Sequence, residues 1–239
     1  MHETNESLVT KEKLGKSGIR YIIRSLVYVI LHTVIIFIAA GTINLPRVWI
    51  LFSMNFGSTL VNMILLYKFN VELLNRRGKM QEGTKSWDKI ILAIWLILLF
   101  ILDIIAGLDV GRFHWTYLNF NFAIIGIILW LIAAILATWA EIVNTHFEAT
   151  VRIQKDKEHQ VITKGPYKFV RHPGYVAVIL VHVAVPLILG SILTFIPTCF
   201  IIGLFILRTY LEDKTLQTEL TGYSEYTQKT KYRLLPGIW

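Results

Sequence analysis

Long apolar segments alternate with short polar ones along this chain of 239 residues. The apolar segments cover residues 22–40, 48–67, 90–108, 122–140, 175–189 and 192–207. Each approaches the ~20 residues that a helix needs to cross the ~30 Å hydrocarbon core of a bilayer. The last two are short and only Gly190 and Ser191 separate them, which predicts a tight helical hairpin. The pattern therefore predicts an all-α, polytopic membrane bundle of about six transmembrane helices.

The basic residues lie on one side of this predicted bundle. All lysines and arginines except Arg47 and Arg112 lie in the two terminal tails, at the start of the first helix, or in the second-to-third and fourth-to-fifth connections. With six crossings these regions share one face, and the positive-inside rule makes that face cytoplasmic. We therefore expect both termini in the cytoplasm. The net charge of +8 follows from this topology and from attraction to anionic lipid head groups, so we expect no nucleic-acid partner.

The composition supports a membrane protein and limits the chemistry. Charged residues make up 17% of the chain, whereas a soluble domain carries roughly a quarter. The single cysteine, Cys199, lies in an apolar run and cannot form an intramolecular disulfide. Polar groups within the predicted spans are few: Asp103, His182, His32 and Asn62. His182 has two interpretations, a histidine hydrogen-bonded to a neighbouring helix or, at lower odds, a ligand-binding residue.

Polar, aromatic and turn-forming residues concentrate between residues 141 and 175. Gly165-Pro166 predicts a turn, and Pro173 suits the first turn of the fifth transmembrane helix. The free amides at that helix start, beside Arg171 and His172, favour a site for an anionic group. A basic loop that rests on lipid head groups explains the same residues equally well.

The last predicted helix ends in a second polar region. Arg208 and Glu212 are four residues apart and share a face where this helix leaves the membrane. The pair has two interpretations. It is either a surface salt bridge that contributes about a few tenths of a kcal/mol, or a site in which the Arg binds a substrate carboxylate and the Glu binds a cofactor. The tail that follows can fold back over the 141–175 loop as a lid.

Residues 159–175 carry the resemblance to a known family. They read HQVITKGPYKFVRHPGY, and this stretch is similar to the isoprenylcysteine carboxyl methyltransferase family, which includes phospholipid methyltransferase-like members. That family has a His, a Gly-x-Tyr turn and an Arg-His-Pro-x-Tyr sequence at the start of a helical hairpin. The Arg208-x-x-x-Glu212 pair and a tail that ends in RLLPGIW follow in the same order. The first helices resemble the family only in being hydrophobic.

The resemblance implies a membrane enzyme that methylates a lipidic substrate with S-adenosylmethionine (AdoMet) from the cytosol. It implies a catalytic pair in which Arg208 holds the acceptor group of the substrate and Glu212 contacts the cofactor. The implied cofactor-binding residues are Arg152, Gln154, His159, Gln160, Val161, Ile162, Tyr167, Arg171, His172, Pro173, Gly174, Tyr175 and Glu212. Arg152 and Gln154 are alternatives for one contact. Asp213 interrupts the family's usual acidic run and is the alternative to Glu212.

These observations divide the chain into residues 1–140, with the first four transmembrane helices, and residues 141–239, a methyltransferase-like region with a cytoplasmic cofactor site. The expected reaction is methyl transfer to an isoprenoid or prenylcysteine carboxylate-like acceptor at the cytoplasmic membrane face. The enzymatic alternatives are an NADPH-dependent membrane reductase of the sterol type and a phospholipid N-methyltransferase. A lipid-binding or transport protein is the non-enzymatic alternative. We expect membrane lipids and a lipidic substrate as partners, and no metal.

Overall fold

The structure is a computed structural model that describes residues 13–79, 83–153 and 159–239. Gln154 lies outside these ranges. The described residues form eight α-helices and no strand: α1 (Lys16–Ala40), α2 (Pro46–Phe69), α3 (Val71–Arg77), α4 (Ser86–Gly107), α5 (Phe120–Val143), α6 (Pro173–Leu189), α7 (Phe195–Glu219) and α8 (Tyr223–Lys229). A π-helical turn (Leu108–Phe113) extends α4, and a 3₁₀ turn (Gly165–Lys168) precedes α6. The all-α prediction is confirmed.

Five helices are long and apolar enough to cross a membrane: α1, α2, α4 with its π-helical extension, α5 and α7. At 17 residues, α6 rises about 26 Å, which agrees with the short fifth span that the sequence predicts. Large apolar side chains point outwards along these helices; Ile38 is 70% exposed, Ile64 65% and Ile135 69%. A lipid-facing surface accounts for this exposure. The protein is an integral, multi-pass membrane protein.

The helix boundaries follow local sequence signals. Pro173 is the first residue of α6, as predicted, because proline lacks the N–H that this position leaves unpaired. The side chain of Asn119 precedes α5 and accepts a hydrogen bond from the Asn121 amide at 3.0 Å. Thr194 precedes α7, and its hydroxyl donates to the Ser191 carbonyl at 2.9 Å. The connection between α6 and α7 is therefore a short turn, as the hairpin prediction requires.

The last helix differs from its prediction in length. It begins at Phe195 and continues to Glu219, whereas the apolar pattern ends at residue 207. The apolar run stops there because the next residues are charged, yet the helix continues because those charges have partners inside the protein. Arg208 and Asp213 are 5% and 0% exposed, respectively. A hydropathy pattern detects only the apolar half of such a helix.

The short helix α3 was not predicted, and it closes one end of the bundle. Its Asn75 side chain accepts from the Gly15 amide at 2.8 Å and donates to the Lys13 carbonyl at 3.0 Å. Arg77 pairs with Glu141 of α5 at 2.9 Å. This end, which also includes the starts of α1, α4 and α6 and the ends of α5 and α7, is called the basic end. The end with the connections 41–45, 114–119 and 190–194 is called the opposite end.

Polar groups within the spans pair with neighbouring helices. The Trp95 indole of α4 donates to His182 Nε2 at 3.3 Å, which confirms the interpretation of His182 as a histidine hydrogen-bonded to a neighbouring helix. Asp103 of α4 forms a close contact with His32 of α1. Asn62 donates to Glu141 at 2.8 Å. These pairs link the helices to one another.

Candidate active site

The loop before α6 and the C-terminal tail fold against each other at the basic end. The Arg171 amide donates to the Tyr232 carbonyl at 2.9 Å, and the next amide, that of His172, donates to the Arg233 carbonyl at 3.0 Å. From α8, the Tyr226 hydroxyl donates to the Tyr167 carbonyl at 2.6 Å. The predicted folding of the tail over this loop is therefore present.

Asp213 of α7 is the centre that holds these two segments. It is fully buried, and its carboxylate accepts two bonds from the Arg171 guanidinium, at 2.7 and 3.0 Å. Further donors approach it from the tail and from its own helix: Arg233 at 2.8 Å, Tyr223 at 3.0 Å and Gln217 at 2.8 Å. These contacts account for its acceptor capacity. Asp213 therefore holds the tail to the loop, and of these two neighbouring carboxylates it is Glu212 that lines the cavity described next.

A cavity adjoins this joint, since Arg171, His172 and Tyr223 also line it. The described residues of the predicted cofactor set all line it: Arg152, His159, Gln160, Val161, Ile162, Tyr167, Arg171, His172, Pro173, Gly174, Tyr175 and Glu212. These residues come from the 144–175 loop, from the start of α6 and from α7. Packing therefore brings together residues that are up to 60 positions apart in the chain.

Sequence reasoning missed part of the cavity wall. These residues are Asn144, His146, Phe147, Glu148, Thr150, Val151, Leu216, Leu220 and Tyr223. Most follow directly after α5, where a run of polar and aromatic residues just outside the membrane was an available signal. The structure also shows close packing there, since a Cβ at Gly174 would lie 2.7 Å from the Phe147 ring. Glycine at this position lets the start of α6 approach the loop.

His159 brings an unpaired polar atom to the cavity. Its Nδ1 is buried and has no hydrogen-bond partner among the described residues. Burial, together with the nearby charges of His146, Arg152 and Arg76, lowers the pKa of His159 to about 4. The His146 ring lies 4.7 Å away, centroid to centroid, and its Nε2 accepts from the Gln160 amide at 3.4 Å. His159 is thus a neutral imidazole at pH 7, able to bind a polar group of a ligand.

Tyrosines and one carboxylate form the wall between the loop and α7. The Tyr175 hydroxyl donates to Glu212 in a close contact. The Tyr167 hydroxyl accepts from Asn144 at 2.9 Å, and burial raises its pKa well above the ordinary value. Burial, followed by the charge of Asp213, likewise raises the pKa of Tyr223. The Tyr167 and Tyr223 hydroxyls therefore stay protonated, and Glu212 presents a carboxylate to the cavity.

Two predicted arginines of the cavity wall have protein partners. Arg171 donates to Asp213 and also to the carbonyls of Thr230 and Lys231, at 2.9 and 2.7 Å. Arg152 pairs with Glu148 through two bonds, at 2.7 and 3.0 Å. The guanidinium of Arg171 therefore contributes to the joint with the tail, and the charge of Arg152 is balanced within the loop.

Arg208 lies beside the cavity and is not among the residues that line it. Its Nε and Nη2 donate to the two carboxylate oxygens of Asp88, at 2.8 and 3.2 Å. Its Cζ lies 5.1 Å from the centroid of the Tyr175 ring. Sequence reasoning missed Asp88, although an acidic residue in the first turn of an apolar helix is a recognisable signal. Among the residues that the structure describes, no group of three His, Cys, Asp or Glu side chains is arranged to hold a metal ion.

Comparison with known proteins gives a family for part of the chain and a related fold. The family model of the isoprenylcysteine carboxyl methyltransferase (ICMT) family matches residues 114–218. A solved structure of the eukaryotic intramembrane Ras methyltransferase ICMT, determined without a monobody, is similar with a TM-score of 0.51 and 18% sequence identity. The similarity covers 85% of this chain and 72% of that chain, and at this identity it supports the fold. The search of curated proteins found no match.

The matched segment contains α5, the polar loop, α6 and nearly all of α7. It therefore includes every cavity residue discussed above except those of the tail. The family is one of methyltransferases, which confirms the predicted enzyme class and disfavours the reductase and transport alternatives. Residues 114–218 are thus similar to the ICMT family that the sequence predicts, and the protein is a membrane methyltransferase.

Proposed function

We propose that this protein transfers a methyl group from AdoMet to the carboxylate of an isoprenoid or prenylcysteine-like acceptor, at the cytoplasmic face of the membrane. One observation carries the proposal: the described residues of the predicted cofactor set come from separate segments and still surround a single cavity. The family match and the similarity to an intramembrane Ras methyltransferase support the class of reaction and of acceptor.

The residues of the cavity suit the chemical groups of AdoMet. Glu212 offers a carboxylate to a cationic ligand, and in a partly dry site such an interaction is stronger than in water. His159 offers a buried nitrogen that has no described partner. Apolar side chains such as Val161 and Ile162 suit the adenosyl part of the cofactor. Bound AdoMet supplies an electrophilic methyl group on its sulfonium.

The protein's own task is then orientation and exclusion of water. A carboxylate acceptor is already a nucleophile, so no strong general base is required. The joint between loop and tail adjoins the cavity, and Tyr175 and Glu212 fix one wall of it. Alignment of two bound reactants supplies a large part of the rate enhancement in such reactions, and exclusion of water protects the reactive groups.

The membrane supplies the acceptor. The outward-facing apolar side chains of the spans give a lipid tail a route from the bilayer, while the cavity lies at the basic end. The positive-inside rule supports a cytoplasmic location for that end and for both termini. A cytosolic cofactor and a membrane-borne acceptor thus meet at one surface.

Methyl-transfer assays test this proposal directly. Purified protein in lipid nanodiscs is titrated with AdoMet by calorimetry and then given methyl-labelled AdoMet with an N-acetyl S-prenylcysteine, phosphatidylethanolamine or a prenyl thiol. We expect AdoMet binding and a base-labile methyl ester on the prenylcysteine. Label on phosphatidylethanolamine instead would make the protein a phospholipid N-methyltransferase. Binding of NADPH without binding of AdoMet would overturn methyl transfer altogether.

A further inference from the structure

Asp88 is a buried acidic residue that the proposed reaction has not yet used. It lies in the first turn of α4, outside the segment that the family model matches, and it is 0% exposed. A carboxylate at the end of a transmembrane helix is costly unless it has partners. Its partners therefore indicate why the protein keeps it there.

Those partners connect three parts of the basic end. Arg208 of α7 binds both oxygens of Asp88. The Val151 amide, in the loop after α5, donates to Asp88 Oδ2 at 2.8 Å. The Val151 carbonyl in turn accepts from the Lys85 amide at 3.0 Å. The first turn of α4 thus holds both the helix that carries Glu212 and the loop that carries Arg152.

The contact with Asp88 also determines which nitrogen of the Arg208 guanidinium remains available to bind a ligand. Nε and Nη2 are directed to Asp88, and Nη2 donates in addition to the Ala149 carbonyl at 2.8 Å. Nη1 donates to none of the described residues. A two-point contact with a carboxylate fixes the plane of a guanidinium as well as its position. The same guanidinium lies against the Tyr175 ring, whose hydroxyl holds Glu212.

We propose that Asp88 is a positioning residue for methyl transfer: it fixes Arg208 so that Nη1 is presented to the carboxylate of the acceptor. This inference rests on the proposed function and adds a residue of the N-terminal helices to it. Asp88 does not touch either reactant. It acts through Arg208 and sets the distance between the acceptor and the methyl donor held at Glu212.

The test compares Asp88→Asn with the wild-type protein in the prenylcysteine assay. Asparagine keeps the size of the side chain but removes its charge, so Arg208 is held less firmly. We expect kcat/KM for the prenylcysteine to fall by about tenfold or more, the effect of weakening a hydrogen bond to a charged group. The Kd for AdoMet, measured by calorimetry, should stay within about twofold of wild type because Glu212 is unchanged. Asp88→Glu, which restores the charge, should recover part of the loss.

Asp103→Asn is the matched control. It removes a second buried carboxylate from the same helix, and this carboxylate pairs with His32 away from the cavity. A purely structural role for Asp88 predicts that both variants lower heat stability and activity together. The positioning role predicts that only Asp88→Asn changes the acceptor kinetics.

An Arg208→Met variant serves as a second background and tests whether Asp88 acts through Arg208. In Asp88→Asn a buried arginine loses its charged partner, which can prevent folding, and Arg208→Met removes that arginine. We expect Asp88→Leu to cause no further loss of kcat/KM in that background. An equal loss in both backgrounds, or unchanged acceptor kinetics in a folded Asp88→Asn, would overturn the positioning role while wild-type activity preserved the proposed function. Failure of the wild-type protein to bind AdoMet would overturn both.

Discussion

The two ends of the helical bundle satisfy their polar groups in different ways. At the opposite end, the buried carboxylate of Asp109 accepts from the Thr116 amide at 2.7 Å and from the Ser191 hydroxyl at 2.5 Å. Arg47 donates to the Leu118 carbonyl at 2.8 Å. These contacts join short turns to one another. The charges of Asp109 and Arg47 are thus matched by neutral groups from the turns that they hold.

At the basic end, charged groups bind one another across long distances in the sequence. Asp213 pairs with Arg171 and Arg233, and Asp88 pairs with Arg208. This end also has a long loop and a tail around a cavity, with a buried His159 nitrogen that has no described partner. The opposite end therefore closes the bundle through contacts between its short turns. The basic end holds a loop and a tail together beside a cavity.

Removing the central carboxylate of each end should show this difference most strongly. Asp213→Ala leaves Arg171 buried without its partner, and we expect it to lower the free energy of unfolding by about 3–5 kcal/mol. Asp109→Ala leaves only neutral donors unpaired, at a cost of about 1–3 kcal/mol. Thermal unfolding in detergent, together with proteolysis of the C-terminal tail, measures both effects.

Methyl-transfer activity should also differ between Asp213→Ala and Asp109→Ala. Asp213→Ala should release the tail to protease and abolish activity, whereas the folded fraction of Asp109→Ala should keep wild-type kcat. Equal protection of the tail in the two proteins would mean that Asp213 does not hold the joint.

The next effect concerns the cofactor. Glu212→Gln removes the carboxylate that faces the cavity, and we expect the Kd for AdoMet to rise about 10- to 100-fold, as for loss of a charge-assisted interaction. Glu219→Gln is the control on the same helix, since its ion pair with Lys85 is 42% exposed on the Glu side and 30% on the Lys side. An exposed pair contributes little, so its AdoMet affinity should match wild type. Similar affinities for both variants would exclude Glu212 from the cofactor site.

The sequence predicts most of the transmembrane helices well. It predicts residues that come together at the basic end but none of the contacts at the opposite end. Hydropathy located α2, α4, α5 and α6 to within four residues at each end, and α1 to within six, because lipid contact imposes long apolar runs. The motif between His159 and Tyr175 and the pair that includes Glu212 located most of the cavity wall. These residues are recognisable because their types and spacing are unusual in a loop beside a membrane.

The contacts that the sequence could not predict are the long-range ones. Nothing in the spacing of Asp88 and Arg208 indicates that they pair, because 120 positions separate them and only packing of α4 against α7 brings them together. The partner of Asp213 was equally hidden, so the neighbouring Glu212 and Asp213 were indistinguishable by sequence. Their helical positions differ by about 100°, which directs one to the cavity and the other to the tail.

Substitution of a turn glycine by alanine at either end should have a smaller effect on stability. Gly190 and Gly222 both have a φ of +83°, and alanine at either position costs about 1–2 kcal/mol of backbone strain. At Gly190 the new Cβ would also lie 2.0 Å from Arg47 Nη1, so Gly190→Ala should disturb the bond to Leu118 as well. At Gly222 the nearest atom is 3.9 Å away, on Val161. We expect the melting temperature to fall further for Gly190→Ala. The reverse order would show that the opposite end is the less tightly packed.

The last effect is a pH dependence at the basic end. The pKa of His159 is about 4 in the folded protein and 6.5 in its ordinary state, so between these values the unfolded chain binds more protons than the folded one. Stability from this residue is therefore complete above about pH 6.5 and falls as the pH drops towards 4. His159→Gln removes the titrating group and should flatten this part of the stability curve. Chemical unfolding in detergent at pH 5 and pH 7 measures the difference, and identical slopes for His159→Gln and wild type would mean that His159 is accessible to protons in the folded state.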